Sequence, residues 1–125
     1  MTRFLIDSDC AIYAMTGQFP ALGARLVDCA PGEVAISVIS FAELKFGTVL
    51  GRPPPGDVFD AFLAIIPMLA FDEAAARAYA ALPFRRARFD RLLAAHAISL
   101  NATIVTNNER DFNDVPGLRI ENWTL

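Results

Sequence analysis

Short apolar runs alternate along this chain with segments that have the 3.6-residue periodicity of helices. The runs at Phe4–Ile6, 34–38 and Thr103–Val105 have the length and the largely apolar character of strands buried on both faces. A short run at 68–71 and an alternating run at 118–120 are further strand candidates. Strands separated by helical segments predict an α/β fold with a mainly parallel sheet.

Capping residues and turns mark the ends of the helical segments. Asp57 is predicted to cap one helix, the pair Asp72 and Glu73 to begin another, and Asn101 to end a third in the left-handed conformation. A polar turn or short helix is expected at 107–113. The predicted helices cover residues 11–15, 21–29, 40–50, 57–66, 72–82 and, most clearly, 89–100.

The composition indicates one domain, residues 1–125, with more apolar surface than its core requires. The chain is 54% hydrophobic, above the roughly 45–50% that is usual with glycine counted. We expect the excess to contact a partner or a second copy. The longest apolar run, 62–71, is shorter than the about 20 residues of a membrane span and contains Pro67. We therefore predict no transmembrane helix, no signal peptide and a cytoplasmic location.

The net charge of −3 argues against a general nucleic-acid-coating protein. It is compatible with an enzyme that holds phosphate through a metal ion. Lys45 is the only lysine, and Arg85, Arg86, Arg88 and Arg91 fall within one short segment. These arginines either form a solvated helix face that balances nearby acids or bind phosphate or a partner.

Two carboxylates, Asp7 and Asp9, follow the first predicted strand. Ligands of open α/β sheets bind outside the carboxyl ends of the strands, so Asp7 is a candidate site residue. A carboxylate attached to a buried strand must be paired, protonated or bound to a metal ion. Asp9 is a candidate ligand, helix cap or hydrogen-bond partner of Asp7, and we expect it to support the site.

Three more acids lie at the edges of predicted elements, and each has a structural explanation. Glu43 follows Ser40 by three residues, which is the spacing of a capping box and the favoured explanation for Glu43 alone. Asp90 opens a helix, where a carboxylate is stabilised by the helix dipole. Asp111 lies in a polar stretch rich in turn formers.

A shared divalent cation would account for Asp7, Glu43, Asp90 and Asp111 together. Two carboxylates at 4 Å repel by about 4 kcal/mol at an effective dielectric near 20, so a cluster of ionised acids requires a cation. Oxygen-only ligands suit Mg²⁺ or Mn²⁺ rather than structural zinc. Such an ion could polarise a phosphate and lower the pKa of a bound water.

The remaining candidate residues have structural interpretations. His96 is the only histidine and lies on the apolar side of its predicted helix, so we interpret it as a core residue rather than a catalytic base. Trp123 is expected to anchor the core or an interface. The serines lack the context of a nucleophile elbow.

The order and spacing of these segments resemble the PIN-domain ribonucleases, and within them the VapC toxins of bacterial toxin–antitoxin pairs. The resemblance is carried by residues 4–9, 36–44, 89–97, 102–108, 111–112 and 115–123. It implies a parallel five-stranded sheet between helices, with Asp7, Glu43, Asp90 and Asp111 as the acidic site and Thr106 with Asn107 in support.

The same resemblance implies an activity and partners. The implied reaction is Mg²⁺- or Mn²⁺-dependent hydrolysis of RNA phosphodiesters by activated water. The implied partners are an antitoxin that covers the site and a second copy of the chain, in a toxin–antitoxin hetero-oligomer. Operator DNA would be bound only through the antitoxin.

Two departures from the family pattern and two alternative functions accompany this interpretation. Asp9 stands where family members usually have asparagine, and the arginine-rich segment between Leu82 and Asp90 is short and lacks a Gly-Pro turn. One alternative is a non-catalytic PIN-like interaction module. The other is a haloacid-dehalogenase-like phosphatase with Asp7 as nucleophile, which would need a lysine late in the chain, where this chain has none.

Overall fold

We describe residues 1–83 and 89–125 of the protein from a computed structural model. Arg85, Arg86 and Arg88, and with them most of the predicted arginine cluster, lie outside the described residues. The described strands are β1 (Phe4–Ile6), β2 (Val34–Ser37), β3 (Met68–Leu69), β4 (Thr103–Val105) and β5 (Arg119–Glu121). The helices are α1 (Ser8–Met15), α2 (Pro20–Val27), α3 (Val38–Val49), α4 (Gly56–Ile65), α5 (Glu73–Ala80) and α6 (Phe89–Leu100), with a 3₁₀ turn at Glu109–Asp111.

The five strands form one sheet in the order β3-β2-β1-β4-β5, and every neighbouring pair is parallel. The predicted α/β fold with a mainly parallel sheet is therefore confirmed. The central strand β1 pairs with β2 on one side and β4 on the other, with Phe4 opposite both Val34 and Thr103. Strand order reverses at this point, which is where open α/β sheets bind their ligands.

Helices cover both faces of the sheet, which explains the uninterrupted hydrophobicity of β1. Phe4 and Ile6 belong to one core cluster, whereas Leu5 belongs to the cluster on the opposite face. Successive side chains of a strand point to opposite faces, so all three residues are buried. Within the described ranges, no helix is long and apolar enough to cross a membrane.

Several predicted boundaries are confirmed. Helix α6 spans the predicted residues 89–100, and Asn101 after it adopts the left-handed conformation with φ 53°. Asp72 caps α5, since its carboxylate accepts a hydrogen bond from the backbone N–H of Ala75. The polar stretch after β4 forms the predicted short helical turn.

The predicted capping box is wrong, because α3 begins earlier than the Ser40–Glu43 pattern suggested. Ser37, the last residue of β2, is the cap, and its hydroxyl accepts from the backbone N–H of Ile39. Ser40 is therefore buried inside the helix, and Glu43 has no terminal N–H to reach.

The predicted start of α4 is also wrong, because Pro55 rather than Asp57 occupies the N-cap position. Asp57 lies in the first turn of the helix instead. Helix α1 starts at Ser8 rather than residue 11, because the Asp7 side chain caps it.

His96 is a core residue, as predicted. It is 1% exposed, and its Nδ1 lies 2.7 Å from the Ser37 hydroxyl. The Phe71 ring packs edge-on against the imidazole, with 5.6 Å between the ring centroids. Since Ser37 caps α3 and His96 lies on α6, this buried hydrogen bond joins two helices that each carry a candidate acid.

Candidate metal centre

Asp7 lies at the carboxyl end of β1 and is only 7% exposed. Its carboxylate accepts a 2.8 Å hydrogen bond from the backbone N–H of Cys10, which caps α1, and a second one from the Thr106 hydroxyl. Burial raises the pKa of Asp7; the bonds from Thr106 and Cys10 oppose this, and the nearby charge of Asp9 adds to it. Among the described residues no basic group forms an ion pair with Asp7, so this buried carboxylate lacks a counter-charge.

Glu43 reaches the same place from the second turn of α3. The Ser8 hydroxyl donates a 2.9 Å hydrogen bond to its Oε1. The pKa of Glu43 is raised chiefly by partial burial and further by the charges of Asp9 and Asp7, whereas the Ser8 bond lowers it. The charges of Asp7 and Asp9 act on Glu43 because the three carboxylates lie close to one another.

Asp90 and Asp111 complete the group from the other side of β1. Asp90 lies in the first turn of α6, and Asp111 ends the 3₁₀ turn that follows β4. The Asn108 side-chain amide donates a short hydrogen bond to the Asp111 carboxylate. The backbone N–H of Asn108 in turn donates to the Thr106 hydroxyl at 2.9 Å, so one polar loop supports both Asp7 and Asp111.

These side chains line one small cavity of about 60 Å³, which we call the acidic cavity. That volume is about twice the ~30 Å³ that a water molecule occupies in the liquid. Five carboxylates and no basic side chain are found among the described residues around it. The lining consists of Asp7, Ser8, Asp9, Glu43, Asp90, Leu93, Asn108, Asp111 and Phe112.

The structure thus brings together the four acids that the sequence singled out, with Asp9 beside them. Thr106 lies beneath the cavity and supports Asp7, as the resemblance implied, whereas Asn107 does not line it and its neighbour Asn108 does. The sequence analysis also did not identify Ser8 as a site residue, although it lines the cavity and donates a hydrogen bond to Glu43. Two adjacent asparagines look alike in sequence, and only the path of the loop after β4 decides which one faces the acids.

The side chains around the acidic cavity are not arranged as a complete set of metal ligands. Within residues 1–83 and 89–125, no three His, Cys, Asp or Glu side chains form a group that could hold an ion as they stand. Ionised carboxylates repel one another, which opposes closer approach until a cation neutralises them. The chemistry of the donors still fits one class of ion, because a set of carboxylate oxygens suits a hard cation such as Mg²⁺ or Mn²⁺.

The burial of Asp7 yields a prediction about stability and pH. In EDTA we expect Asp7→Asn to be more stable than the wild type at pH 8, because asparagine keeps the helix cap but carries no buried charge. The pKa of Asp7 is higher in the folded protein than in the unfolded chain. Below about pH 3.9, Asp7 is protonated in both states and its burial costs no charge. As the pH rises through the folded pKa, the wild type loses stability because Asp7 ionises in the folded protein. The difference between the variants should therefore grow from pH 4 to pH 8, as measured by urea denaturation.

The matched control for this measurement is Asp60→Asn, an exposed acid of α4. Its stability relative to the wild type should not change over the same pH range. Equal pH dependence of the two variants would contradict the proposed burial of charge at Asp7.

Comparison with known proteins identifies the family. The family model of the PIN domain matches residues 4–118. The chain is 32% identical over 133 residues to the tRNA(fMet)-specific endonuclease VapC of Shigella flexneri, covering 99% of this chain and 100% of that protein.

Two solved structures have the same fold over nearly the whole chain. VapBC2 from Rickettsia felis, bound to a DNA fragment from its promoter, gives a TM-score of 0.84 at 27% identity and covers 98% of this chain and 99% of that chain. DNA-bound VapBC from Salmonella typhimurium gives a TM-score of 0.83 at 26% identity and also covers 98% of this chain and 99% of that chain. With the family model, the VapC relative and the fold in agreement, this chain belongs to the PIN-domain family.

Proposed function

We propose that this protein is a metal-dependent endoribonuclease that acts as the toxin of a toxin–antitoxin pair. The observation that carries the proposal is the acidic cavity, in which five carboxylates meet at the carboxyl edge of a PIN fold. The VapC relative is named as an endonuclease specific for a transfer RNA, which supports RNA as the substrate class. A cellular RNA substrate also supports action in the cytoplasm.

In this proposal Asp7, Glu43, Asp90 and Asp111 hold Mg²⁺ or Mn²⁺. An ion held by these residues would supply a positive charge that polarises a phosphate and lowers the pKa of a water molecule, so that water could act as the nucleophile. The distribution of the acids over β1, α3, α6 and the turn after β4 means that the folded sheet, rather than a local motif, sets their spacing.

The surrounding residues orient these acids through hydrogen bonds. Thr106 and the Cys10 backbone fix the Asp7 carboxylate, Ser8 fixes Glu43, and Asn108 fixes Asp111. Partners of this kind determine which carboxylate oxygen faces the cavity, and their loss typically reduces metal affinity or activity by about 10- to 100-fold.

An exposed apolar patch supports a protein partner. Its residues are Phe46 and Val49 on the second half of α3 and Leu50 at the C-cap, which are 65%, 74% and 54% exposed. Their spacing places them on neighbouring positions of one helix face, and Phe46 and Leu50 lie on the same side as Glu43. We propose that an antitoxin segment covers this patch and reaches the acidic cavity, with a second copy of the toxin completing the assembly. Operator DNA would be bound by the antitoxin.

The proposal predicts a strict requirement for a divalent cation. Purified protein supplied with excess Mg²⁺ or Mn²⁺ should cleave single-stranded RNA into discrete fragments on a sequencing gel. Excess EDTA should reduce the rate at least about 100-fold, and added Mn²⁺ should restore it. Cleavage that persists in EDTA would contradict the proposal.

Further experiments separate the alternatives and test the biological role. Titration of Mn²⁺ into the wild type and Asp7→Asn should raise the melting temperature of the wild type alone. An equal response of the two proteins to Mn²⁺ would favour a non-catalytic module. Hydrolysis of p-nitrophenyl phosphate without RNA cleavage would favour a phosphatase.

The toxin role is tested in cells. Expression of the protein should arrest growth, and co-expression of the neighbouring gene should relieve the arrest.

A further inference from the structure

A second cavity of about 110 Å³ adjoins the acidic cavity and differs from it in charge. The two share Asp90 and Asp111 as a common wall. Two arginines, Arg91 of α6 and Arg110 of the 3₁₀ turn, complete the second cavity together with Asp114. We call it the arginine cavity.

Arg91 forms an ion pair through only one of its two terminal nitrogens. Its side chain is 12% exposed, and Nη2 donates a 2.8 Å hydrogen bond to Asp114 Oδ2. Its other terminal nitrogen, Nη1, is buried and has no hydrogen-bond partner among the described residues. A buried N–H group without an acceptor is costly, so an oxygen atom that entered the cavity would relieve this cost.

Arg110 supplies a second cation at the same cavity. It is exposed and forms no ion pair with a residue that the structure describes. Three carboxylates also face the cavity: Asp114 pairs with Arg91, while Asp90 and Asp111 are shared with the acidic cavity. A cation in the acidic cavity would neutralise those two, leaving Arg110 and the free Nη1 of Arg91 to attract an anion.

We propose that Arg91 and Arg110 bind a phosphodiester of the RNA strand next to the one that is cleaved. This inference rests on the proposed function, because it assigns a neighbouring phosphate of the same substrate. The common wall fits such an arrangement, since adjacent phosphates of one strand would occupy adjoining cavities. Guanidinium groups match the planar, multiple acceptor geometry of phosphate oxygens.

The experiment uses Arg110→Ala, because Arg110 is exposed and its removal leaves the Arg91–Asp114 pair intact. Binding of a fluorescein-labelled single-stranded RNA to the protein with its acidic residues unchanged is measured by anisotropy. Ca²⁺, which carboxylate oxygens also bind, replaces Mg²⁺, and a gel run after each titration verifies that the RNA stays intact. We expect about tenfold weaker binding, as for the loss of one charge-assisted contact. The slope of log affinity against log salt concentration should fall by about 0.7, the value for one phosphate contact on a single strand.

Arg77→Ala is the matched control. Arg77 is exposed like Arg110 but pairs with Glu73 on α5 and lines neither cavity. Its RNA affinity and salt slope should equal those of the wild type. Arg91→Lys, checked for an unchanged melting temperature, should also weaken binding. Lysine has a single terminal nitrogen, so it cannot place one nitrogen on Asp114 and a second on the phosphate, as Nη2 and Nη1 of arginine can.

With active enzyme, Arg110→Ala should raise KM about tenfold and change kcat by less than about twofold, since the contact holds the substrate away from the reacting atoms. Equal RNA affinity and salt slope for Arg110→Ala and Arg77→Ala would overturn the proposal. So would unchanged RNA binding with weakened binding of the protein encoded by the neighbouring gene, because the cavity would then take a carboxylate of that partner. If the wild type binds RNA but does not cleave it, and Arg110→Ala still weakens binding, the proposed function fails and the phosphate site stands.

Discussion

Glu43→Gln is expected to reduce RNA cleavage at least about 100-fold without unfolding the protein. The substitution keeps the length of the side chain and the Oε1 atom that accepts the Ser8 hydrogen bond. It removes one negative charge from a cavity whose described lining has no basic residue. Because the proposed divalent cation would depend on that charge, the loss should exceed the about 10- to 100-fold that follows from changing an outer hydrogen-bond partner.

The measurement is the initial rate of cleavage of a labelled RNA at saturating Mn²⁺, together with the melting temperature. Asp90→Ala should lose activity to a similar extent. Asp60→Asn removes an equal charge from the exposed side of α4 and should retain full activity. Cleavage by Glu43→Gln within about threefold of the wild type would exclude Glu43 from the metal site.

Trp123→Ala is expected to cost about 3–5 kcal/mol in the free energy of unfolding. Trp123 is 1% exposed and packs edge-on against Phe4 of β1 at 4.9 Å. The guanidinium of Arg25 on α2 lies 4.6 Å from the ring centre, and the indole N–H donates to Glu121 at 2.9 Å. The ring therefore fixes the segment after β5 to both the central strand and a helix.

Urea denaturation monitored by far-UV circular dichroism would measure this effect, which is a large part of the about 5–15 kcal/mol that stabilises a typical domain. Trp123→Phe keeps the edge contact but loses the hydrogen bond, so it should cost less. Leu125→Ala, at a side chain that is 91% exposed, should be neutral. A loss below about 1 kcal/mol for Trp123→Ala would show that the tail contributes little to the core.

Much of the fold follows from local patterns, because burial on two faces and helix capping leave clear signals. The apolar run of β1 and the helical spacing of α6 predicted those elements correctly. The prediction of a capping box at Ser40 was wrong because a local pattern cannot show where the preceding strand ends. Pairing of Ser37 with Leu69 in the sheet sets that end.

The candidate site was less accessible to sequence reasoning than the fold. Asp7 and Asp111 could be placed at the carboxyl edge of the sheet because each follows a predicted strand. Glu43 reaches the cavity only because of the direction in which α3 leaves β2, which no local pattern encodes. The arginine cavity combines Arg91 and Arg110, nineteen residues apart in the sequence, and only the packing of α6 against the turn after β4 brings them together.

The distribution of the acids along the chain has a consequence for partially made or partially degraded protein. Asp7, Glu43, Asp90 and Asp111 come from four separate elements, so a fragment that ends before residue 111 lacks at least one of them. Such fragments also lack β5, an edge strand of the sheet. If the proposed function holds, a cut anywhere between residues 7 and 111 should therefore release no fragment that contains all four acids.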